Sequence, residues 1–265
     1  MKAFMPFTTK VILFLLLLTG ISCSKKKTAK EPEPGPKTEV LEKKQWLPVK
    51  LESSQLVITL KYAGDNNQLT DIFGTDGYST SITYKNNLPY EIVKSRNQVP
   101  FQLVDYATTK ANELRARSFD KNGAVSIPTG FYVLIYDGQG QLTGLKNHQD
   151  NGDPLSETVM TYVAGNVSSL TLISNAQTQK TENYTSDLKN GIFKHVNSAE
   201  RLLLESRYFY FKPGPNNVTR ISNPKSAADE VSFAYVYNAE DYPSQMTVTK
   251  NGTKQVFSIS YAALK

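Results

Sequence analysis

A regular alternation of residue types, punctuated by tyrosines, constrains the fold of this 265-residue chain more than any other feature. In the runs ITLKY and SITYK, aliphatic and aromatic residues occupy every second position. Because side chains alternate sides along a β-strand, each run predicts a strand with one apolar face and one Thr/Ser/Lys face. Nine tyrosines recur 22 to 30 residues apart, namely Tyr62, Tyr84, Tyr106, Tyr136, Tyr162, Tyr184, Tyr210, Tyr237 and Tyr261.

Around these tyrosines a loose unit repeats. A strand is followed by a turn rich in Asn, Gly or Asp, and then by a second strand that begins with leucine or a similar residue. The copies cover residues 58–72, 131–145, 159–172 and 208–221, with looser versions at 81–93 and 233–248. This spacing predicts hairpins in a repeat architecture where each unit packs against its neighbours. About eight such hairpins predict a meander of roughly sixteen strands, more than a twisted open sheet usually carries without curling.

The first 23 residues, MKAFMPFTTKVILFLLLLTGISC, have the layout of an export signal. Lys2 and Lys10 give a basic start, and the apolar run 11–18 is far shorter than the roughly 20 residues that a membrane span needs. The closing run Gly-Ile-Ser-Cys at 20–23 resembles the lipobox of bacterial lipoproteins, with glycine where leucine is usual. The resemblance implies that residues 1–22 are a lipoprotein signal peptide and that Cys23 becomes the lipidated N-terminus.

Cys23 is the only cysteine in the chain, and Ser24 and three lysines follow it. The alternative is an ordinary secretory peptide with an incidental cysteine. We favour lipidation because an unpaired thiol is a liability in an oxidising compartment. Surface lipoproteins of the Bacteroidetes type carry acidic residues beside the cysteine. The lysines therefore favour the periplasmic face of the outer membrane over the cell surface.

Proline content and charge divide the rest of the chain. Residues 23–44 are predicted to be the lipidated N-terminus and a flexible linker, because prolines, glycine and charges leave little apolar surface to bury. Residues 45–265 contain no second break of this kind and are predicted to form a single β-hairpin-repeat domain. Of the net charge of +6, residues 1–44 carry +5 and the domain only +1. A nearly neutral domain without a basic cluster argues against a nucleic-acid partner.

We therefore predict an all-β fold, a long antiparallel meander of repeated hairpins that forms a curved, barrel-like or partly open sheet. A sixteen-stranded membrane barrel would turn its apolar face to lipid. Because the chain ends in Ala-Leu-Lys and carries its own predicted anchor, we favour a soluble, partly open sheet. Its apolar face is expected to be covered by curvature, by long loops or by a partner. Turns or short helices are expected near residues 107–116, 197–205 and 225–230.

Short motifs add two resemblances. The run YDGQGQL at 136–142 resembles the tyrosine-aspartate repeats of Rhs-like and teneurin-like shells. The Cys-Ser-Lys start, the run LPVK at 47–50 and the Tyr-turn-Leu-Thr hairpins resemble an uncharacterised family of Bacteroidetes-type outer-membrane lipoproteins, a domain of unknown function with a porin-like fold. The second resemblance covers most of residues 45–265. It implies a porin-like β fold and assigns no activity.

Few residues suggest catalytic chemistry. The two histidines, His148 and His195, are fewer than a zinc or facial-triad iron site usually gathers, and no free cysteine joins them. We predict no metal and no cofactor, and we interpret both histidines as surface or edge residues. A serine nucleophile would be expected in a G-x-S-x-G elbow, which the sequence lacks.

The paired acids are interpreted as turn and surface residues. Asp229-Glu230 and Glu240-Asp241 are adjacent pairs whose side chains diverge, so neither supplies the two carboxylates that a glycosidase places across a sugar. The run 150–153 has the composition of a calcium loop without the EF-hand spacing. We predict left-handed turns at three asparagine pairs, Asn66-Asn67, Asn86-Asn87 and Asn216-Asn217.

The predicted function is a non-catalytic cell-envelope lipoprotein that presents a β-sheet surface to a protein partner or a glycan. The alternative is a hydrolase acting on an envelope or dietary polysaccharide. Tyrosines can stack on sugars, but their strand preference and cross-strand pairing account for most of them here. Trp46 is expected to close the first hairpin. Cys23 is the only predicted site, for lipidation. No catalytic residue is predicted, and the sequence does not specify the binding residues.

Overall fold

Sixteen antiparallel strands form a closed barrel in which each strand pairs with the strands before and after it in the sequence. The computed structural model describes residues 45–64, 66–110, 112–197, 202 and 207–264, and only the backbone of 108–110. The predicted signal peptide, the linker and Cys23 lie outside these residues. Within the described part of the chain, no helix is long and apolar enough to cross a membrane.

The strands run up and down the barrel wall, and their number is the one that the hairpin repeat predicts. They are β1 (Trp46–Glu52), β2 (Val57–Tyr62), β3 (Leu69–Gly74), β4 (Tyr78–Lys85), β5 (Leu88–Arg96), β6 (Val99–Lys110), β7 (Glu113–Asn122), β8 (Val125–Tyr136), β9 (Leu142–His148), β10 (Pro154–Val163), β11 (Asn166–Ser174), β12 (Gln177–Ser186), β13 (Val218–Asn223), β14 (Ser226–Tyr237), β15 (Pro243–Lys250) and β16 (Thr253–Ala263).

Pairing between the first and last strands closes the barrel. β1 and β16 pair from Trp46↔Ala263 to Glu52↔Ser258. The all-β, barrel-like fold class is therefore confirmed, whereas the partly open form that we favoured from the sequence is not found. Trp46, expected to close the first hairpin, begins the strand that closes the whole barrel. β1 and β16 lie at opposite ends of the domain sequence, so their pairing has no local signal in the sequence.

The strand connections fall at two ends of the barrel. Connections from even-numbered to odd-numbered strands follow the repeating tyrosines, and we call this the tyrosine end. The other connections lie at the opposite end. Asn86 and Asn87 form a two-residue turn with φ of 53° and 62°, as the mirror-image hairpin turns require. Asn67 also has positive φ, 53°. The predicted left-handed backbone is therefore found at Asn67, Asn86 and Asn87, but Asn66 and the pair Asn216-Asn217 do not have positive φ, and the prediction is wrong there.

Tyrosine hydroxyls join the two strands of several hairpins at the tyrosine end. The hydroxyl of Tyr62 donates a hydrogen bond to the carbonyl of Pro48 at 2.6 Å. Equivalent bonds join Tyr84 to Leu69 (2.7 Å), Tyr162 to Leu142 (2.8 Å), Tyr235 to Val218 (2.7 Å) and Tyr261 to Pro243 (2.9 Å). Burial raises the pKa of Tyr62 and of Tyr261, so both hydroxyls remain protonated donors. Four of these five tyrosines belong to the repeat, and for those four its structural interpretation is confirmed; Tyr235 lies two residues before the repeat member Tyr237.

The barrel turns its apolar face inward. Two clusters of buried side chains line it, one on β1–β3 and β11–β16 and the other on β4–β10. In β2, for example, Ile58 and Leu60 are at most 3% exposed, while the alternate residues Thr59 and Lys61 face the solvent. The outer wall also carries ion pairs, among them Lys50–Glu52 and Arg220–Glu230.

The connection between β12 and β13 enters the barrel. Its described residues, called the plug below, are 187–197, 202 and 207–217. The aromatic side chains of Phe193, Tyr208 and Phe211 are at most 2% exposed and belong to the first cluster. The ring of Tyr210 lies 5.0 Å from the ring of Phe257 in β16. A long loop therefore covers this part of the apolar face, as one of our sequence alternatives expected.

Polar contacts fix the base of the plug at the tyrosine end. Asp187 accepts hydrogen bonds from the backbone N–H groups of Lys189 and Asn217 at 3.0 and 3.1 Å, and from the hydroxyl of Tyr237. The amide of Asn217 accepts from the N–H of Ile192 at 3.0 Å and donates to the carbonyl of Asn190 at 2.8 Å. Asn217 is only 3% exposed, so these bonds satisfy backbone groups that water cannot reach.

The plug reaches the opposite end of the barrel at Arg207 and Tyr208. Arg207 donates from Nε to the carboxylate of Asp76 at 2.8 Å, and Tyr208 donates to the same carboxylate at 3.2 Å. Gly74 makes room for this contact, because a Cβ there would lie 2.0 Å from the hydroxyl of Tyr208. The plug therefore runs from one end of the barrel to the other.

Three local predictions are wrong. The run 208–221 was predicted as a hairpin, but its first half belongs to the plug and only β13 is a strand. Residues 107–116 and 225–230, expected as covering turns or short helices, lie mainly in β6 and β7 and in β14. Of 197–205, only Asn197 and Leu202 are described, and Leu202 is buried in the plug.

Candidate functional site

A concave groove on the outer wall is the candidate site. It lies where β9, β10 and β11 approach the opposite end of the barrel, and its volume is about 380 Å³. We call it the outer groove. Its lining consists of Lys146, His148, Pro154, Leu155, Ser156, Glu157, Ile173, Ser174, Asn175 and Ala176. Ligand pockets commonly have volumes of roughly 300–1,000 Å³, so the groove is large enough for a small ligand.

Stacking holds His148 at the edge of the outer groove. Its ring lies 4.6 Å from the ring of Phe131, with an angle of 7° between the planes. The guanidinium of Arg115 covers Phe131 at 3.8 Å. These residues come from β9, β8 and β7, and each faces outward. The stack fixes the orientation of the imidazole through contacts across three strands.

The hydrogen bonds of His148 define its tautomer. Nδ1 lies 3.1 Å from the carbonyl oxygen of Gly152, which can only accept a hydrogen bond. Nδ1 therefore carries the proton, and in the neutral ring Nε2 presents a lone pair. No residue in the described part of the chain donates to Nε2. His148 thus contributes a fixed, unoccupied acceptor to the groove.

The remaining groups of the outer groove are balanced in charge. Lys146 Nζ and Glu157 Oε1 lie 3.8 Å apart, and both side chains are nearly half exposed. Pro154, Leu155 and Ile173 supply apolar surface beside them. The groove therefore offers donors, acceptors and an apolar wall without net charge, a combination suited to a neutral polyol.

His195 lies elsewhere, in a turn of the plug rather than on the strand edge that its sequence suggested. Its Nε2 is 2.7 Å from the hydroxyl of Tyr242, and burial together with nearby Lys194 lowers the pKa of its imidazole. The two histidines are therefore not brought together. Among the described residues, no group of three or more His, Cys, Asp or Glu side chains is placed to hold a metal ion.

The paired acids lie at the surface, as predicted, but Asp229 and Glu230 belong to strand β14 and not to a turn. Glu230 pairs with Arg220, and Asp241 pairs with Lys189 across 2.7 Å. In the run 150–153, the side chain of Asn151 caps the N–H of Asp153 at 3.0 Å, as in an ordinary Asx turn.

No described pocket brings two carboxylates together. The outer groove contains only Glu157, a pocket between β14 and β15 contains only Glu230, and a third, at the rim of the opposite end, contains only Asp76. A glycosidase requires two carboxyl groups in one cleft. These pockets therefore lack the arrangement that the hydrolase alternative needs.

Sequence reasoning missed a polar cluster inside the barrel. Lys180 and Glu182 point inward, paired at 2.7 Å, and the hydroxyl of Tyr184 donates to the same carboxylate. Burial lowers the pKa of Lys212, which lies 5.7 Å from the ring of Tyr184, although nearby Glu182 opposes this shift. The run QTQKTENYTS signals such a cluster weakly, because it is polar on both faces.

Comparison with known proteins gives a likeness in structure but none in sequence. No protein-family model matches the chain, and no curated protein matches it in sequence. The chain is similar to the crystal structure of a porin-like protein from Bacteroides uniformis ATCC 8492, with a TM-score of 0.48, 13% sequence identity, and coverage of 83% of this chain and 97% of that chain. At this identity the likeness concerns the fold alone. The sequence comparisons give no support to a lipoprotein family or to Rhs-like repeats.

Proposed function

We propose that this chain is a non-catalytic lipoprotein of the bacterial cell envelope that binds a partner on the outer wall of its barrel, and that the partner is a glycan. The outer groove is the observation that carries this proposal. It combines an apolar wall with a fixed imidazole acceptor and a neutral Lys146–Glu157 pair. Sugar hydroxyls both donate and accept hydrogen bonds, and sugar C–H surfaces pack on apolar side chains, so a neutral glycan matches each of these groups.

The polarity of the wall supports a position in water beside the membrane. Membrane-spanning barrels place apolar residues outward, and a basic side chain at the bilayer midplane costs about 2–4 kcal/mol. Here Lys61, Lys146 and Arg220 face outward together with threonines and serines, and the two buried apolar clusters face the interior of the barrel. We therefore propose that the barrel does not span the bilayer and that a lipid on Cys23 holds it at the outer membrane, on the periplasmic face.

Glycan binding is tested with a glycan array, followed by calorimetric titration of the strongest sugar. Glu157→Gln removes the acceptor charge from the outer groove, and His148→Ala removes the fixed acceptor. Each variant is expected to weaken binding at least about tenfold, the effect of a lost hydrogen bond to a charged or buried group. Glu230→Gln is the matched control, because Glu230 is also an ion-paired carboxylate on the outer wall. An array without a specific sugar, or equal losses in test and control variants, would contradict the proposal.

Lipidation is tested by metabolic labelling with a palmitate analogue. The unaltered chain is expected to take up the label, and Cys23→Ala is expected to take up none. Protease treatment of intact cells then distinguishes the leaflets: protection until the outer membrane is opened supports the periplasmic face. Label retained in Cys23→Ala would refute the anchor while leaving the glycan proposal standing.

A further inference from the structure

A small pocket lies at the opposite end of the barrel, where the plug meets the wall. Its volume is about 210 Å³, and we call it the rim pocket. The wall contributes Asp76, Tyr78, Arg96 and Phe101, and the plug contributes Arg207. The outer groove shares none of these residues, so the rim pocket is a separate site.

The rim pocket contains two guanidinium groups and one carboxylate. Asp76 is already engaged, because it accepts from Arg207 Nε at 2.8 Å and from the backbone N–H of Tyr78 at 3.2 Å. Burial raises the pKa of Asp76, but the hydrogen bonds from Arg207 and Tyr78 outweigh it and leave the pKa lowered, so the group is an anion at neutral pH. It neutralises one arginine. Arg96 makes no hydrogen bond or ion pair with any residue that the structure describes.

The same pocket exposes aromatic surface. Phe101 is 40% exposed, and its ring centre lies 6.1 Å from that of Tyr78. Tyr78 in turn packs nearly at a right angle against buried Tyr208, with ring centres 5.5 Å apart. A rigid aromatic wall beside an unpaired guanidinium can pack against the body of a ligand while the arginine binds its charged group.

We propose that the rim pocket binds the oxyanion of a sugar-sized ligand, a carboxylate or a phosphate, with Arg96 as the principal contact. Arginine presents parallel N–H donors that match both groups. The one carboxylate in the pocket is neutralised by Arg207, so a net positive charge remains for the ligand. Because Arg96 lies on β5 and Arg207 on the plug, a ligand that contacts both also ties the plug to the wall.

The test is calorimetric titration of the full-length chain in mild detergent at constant ionic strength. The probes are glucuronate for the carboxylate, glucose 6-phosphate for the phosphate, and neutral glucose. Saturable binding of one or both acids, with which an excess of glucose does not compete, is expected, and the acid that binds identifies the oxyanion. Arg96→Gln should weaken this binding about tenfold or more. Arg96→Lys keeps the charge but loses the paired donors. Its affinity for the acid should therefore lie between those of the unaltered chain and of Arg96→Gln.

Two variants separate this site from others. Lys254→Gln removes an exposed cation from β16 near the same end of the barrel and should leave acid binding unchanged. Glu157→Gln should also leave it unchanged, so that failure here is distinguishable from failure of the outer groove. The proposal is overturned if neither acid binds saturably, if Arg96→Gln binds normally, or if Lys254→Gln loses as much as Arg96→Gln.

Discussion

Removing the hydroxyl of Tyr62 should destabilise the barrel through one hydrogen bond. Tyr62→Phe keeps the ring in the interior but leaves the carbonyl of Pro48 without its donor. Pro48 is almost completely buried, so water cannot replace the hydroxyl. A buried acceptor left without a partner costs about 1–3 kcal/mol. In a domain of this size each kcal/mol corresponds to about 2–4 °C in Tm.

Urea unfolding followed by the fluorescence of Trp46, the only tryptophan, measures this change. Trp46 lies in the closing seam between β1 and β16, so its environment reports barrel opening. Tyr90→Phe is the matched control, because Tyr90 is 53% exposed and its hydroxyl bonds to no described residue. The control should change the free energy of unfolding by less than about 0.5 kcal/mol. Equal effects of the two substitutions would refute the role assigned to the tyrosine bonds.

Three further predictions concern the plug and the buried tyrosines. Phe211→Ala should lower the free energy of unfolding by about 3–5 kcal/mol because Phe211 is 0% exposed, whereas the outer Phe73→Ala should cost far less in the same urea assay. Asn217→Ala should cost about 1–3 kcal/mol and increase hydrogen exchange at the N–H of Ile192, which loses its acceptor. Burial raises the pKa of the interior tyrosines, including Tyr235. The unfolded chain therefore releases their protons first, so stability should hold below about pH 10 and fall as pH rises further.

Most strand positions, and the number of strands, followed from the sequence because the alternation is local. In β2, the order Ile58, Thr59, Leu60, Lys61 specifies both the strand and its buried face. The turn at Asn86-Asn87 could also be predicted from the sequence, because asparagine tolerates positive φ. The fold class needed only these signals repeated along the chain.

The plug could not be predicted from local alternation. Tyr208 to Phe211 alternate poorly but keep the tyrosine spacing, and the repeat therefore suggested a strand that the structure does not contain. Asn217 looked like a turn residue, yet its buried amide satisfies backbone groups far away in the sequence. Such long-range contacts have no local signature. The same holds for barrel closure and for the rim pocket, where Asp76 meets Arg207.

Cysteine accessibility in cells shows directly whether the barrel has an apolar interior and a wall in water. Single cysteines replace Thr59 and Gln245 on the outer wall, or Ile58 and Met246 in the interior, and the cells are treated with a water-soluble maleimide after the outer membrane is opened. The chain carrying only Cys23 gives the background. We expect the two wall positions to react and the two interior positions to react only after unfolding. Reactive interior positions with protected wall positions would instead indicate a barrel embedded in lipid and would contradict the proposed arrangement.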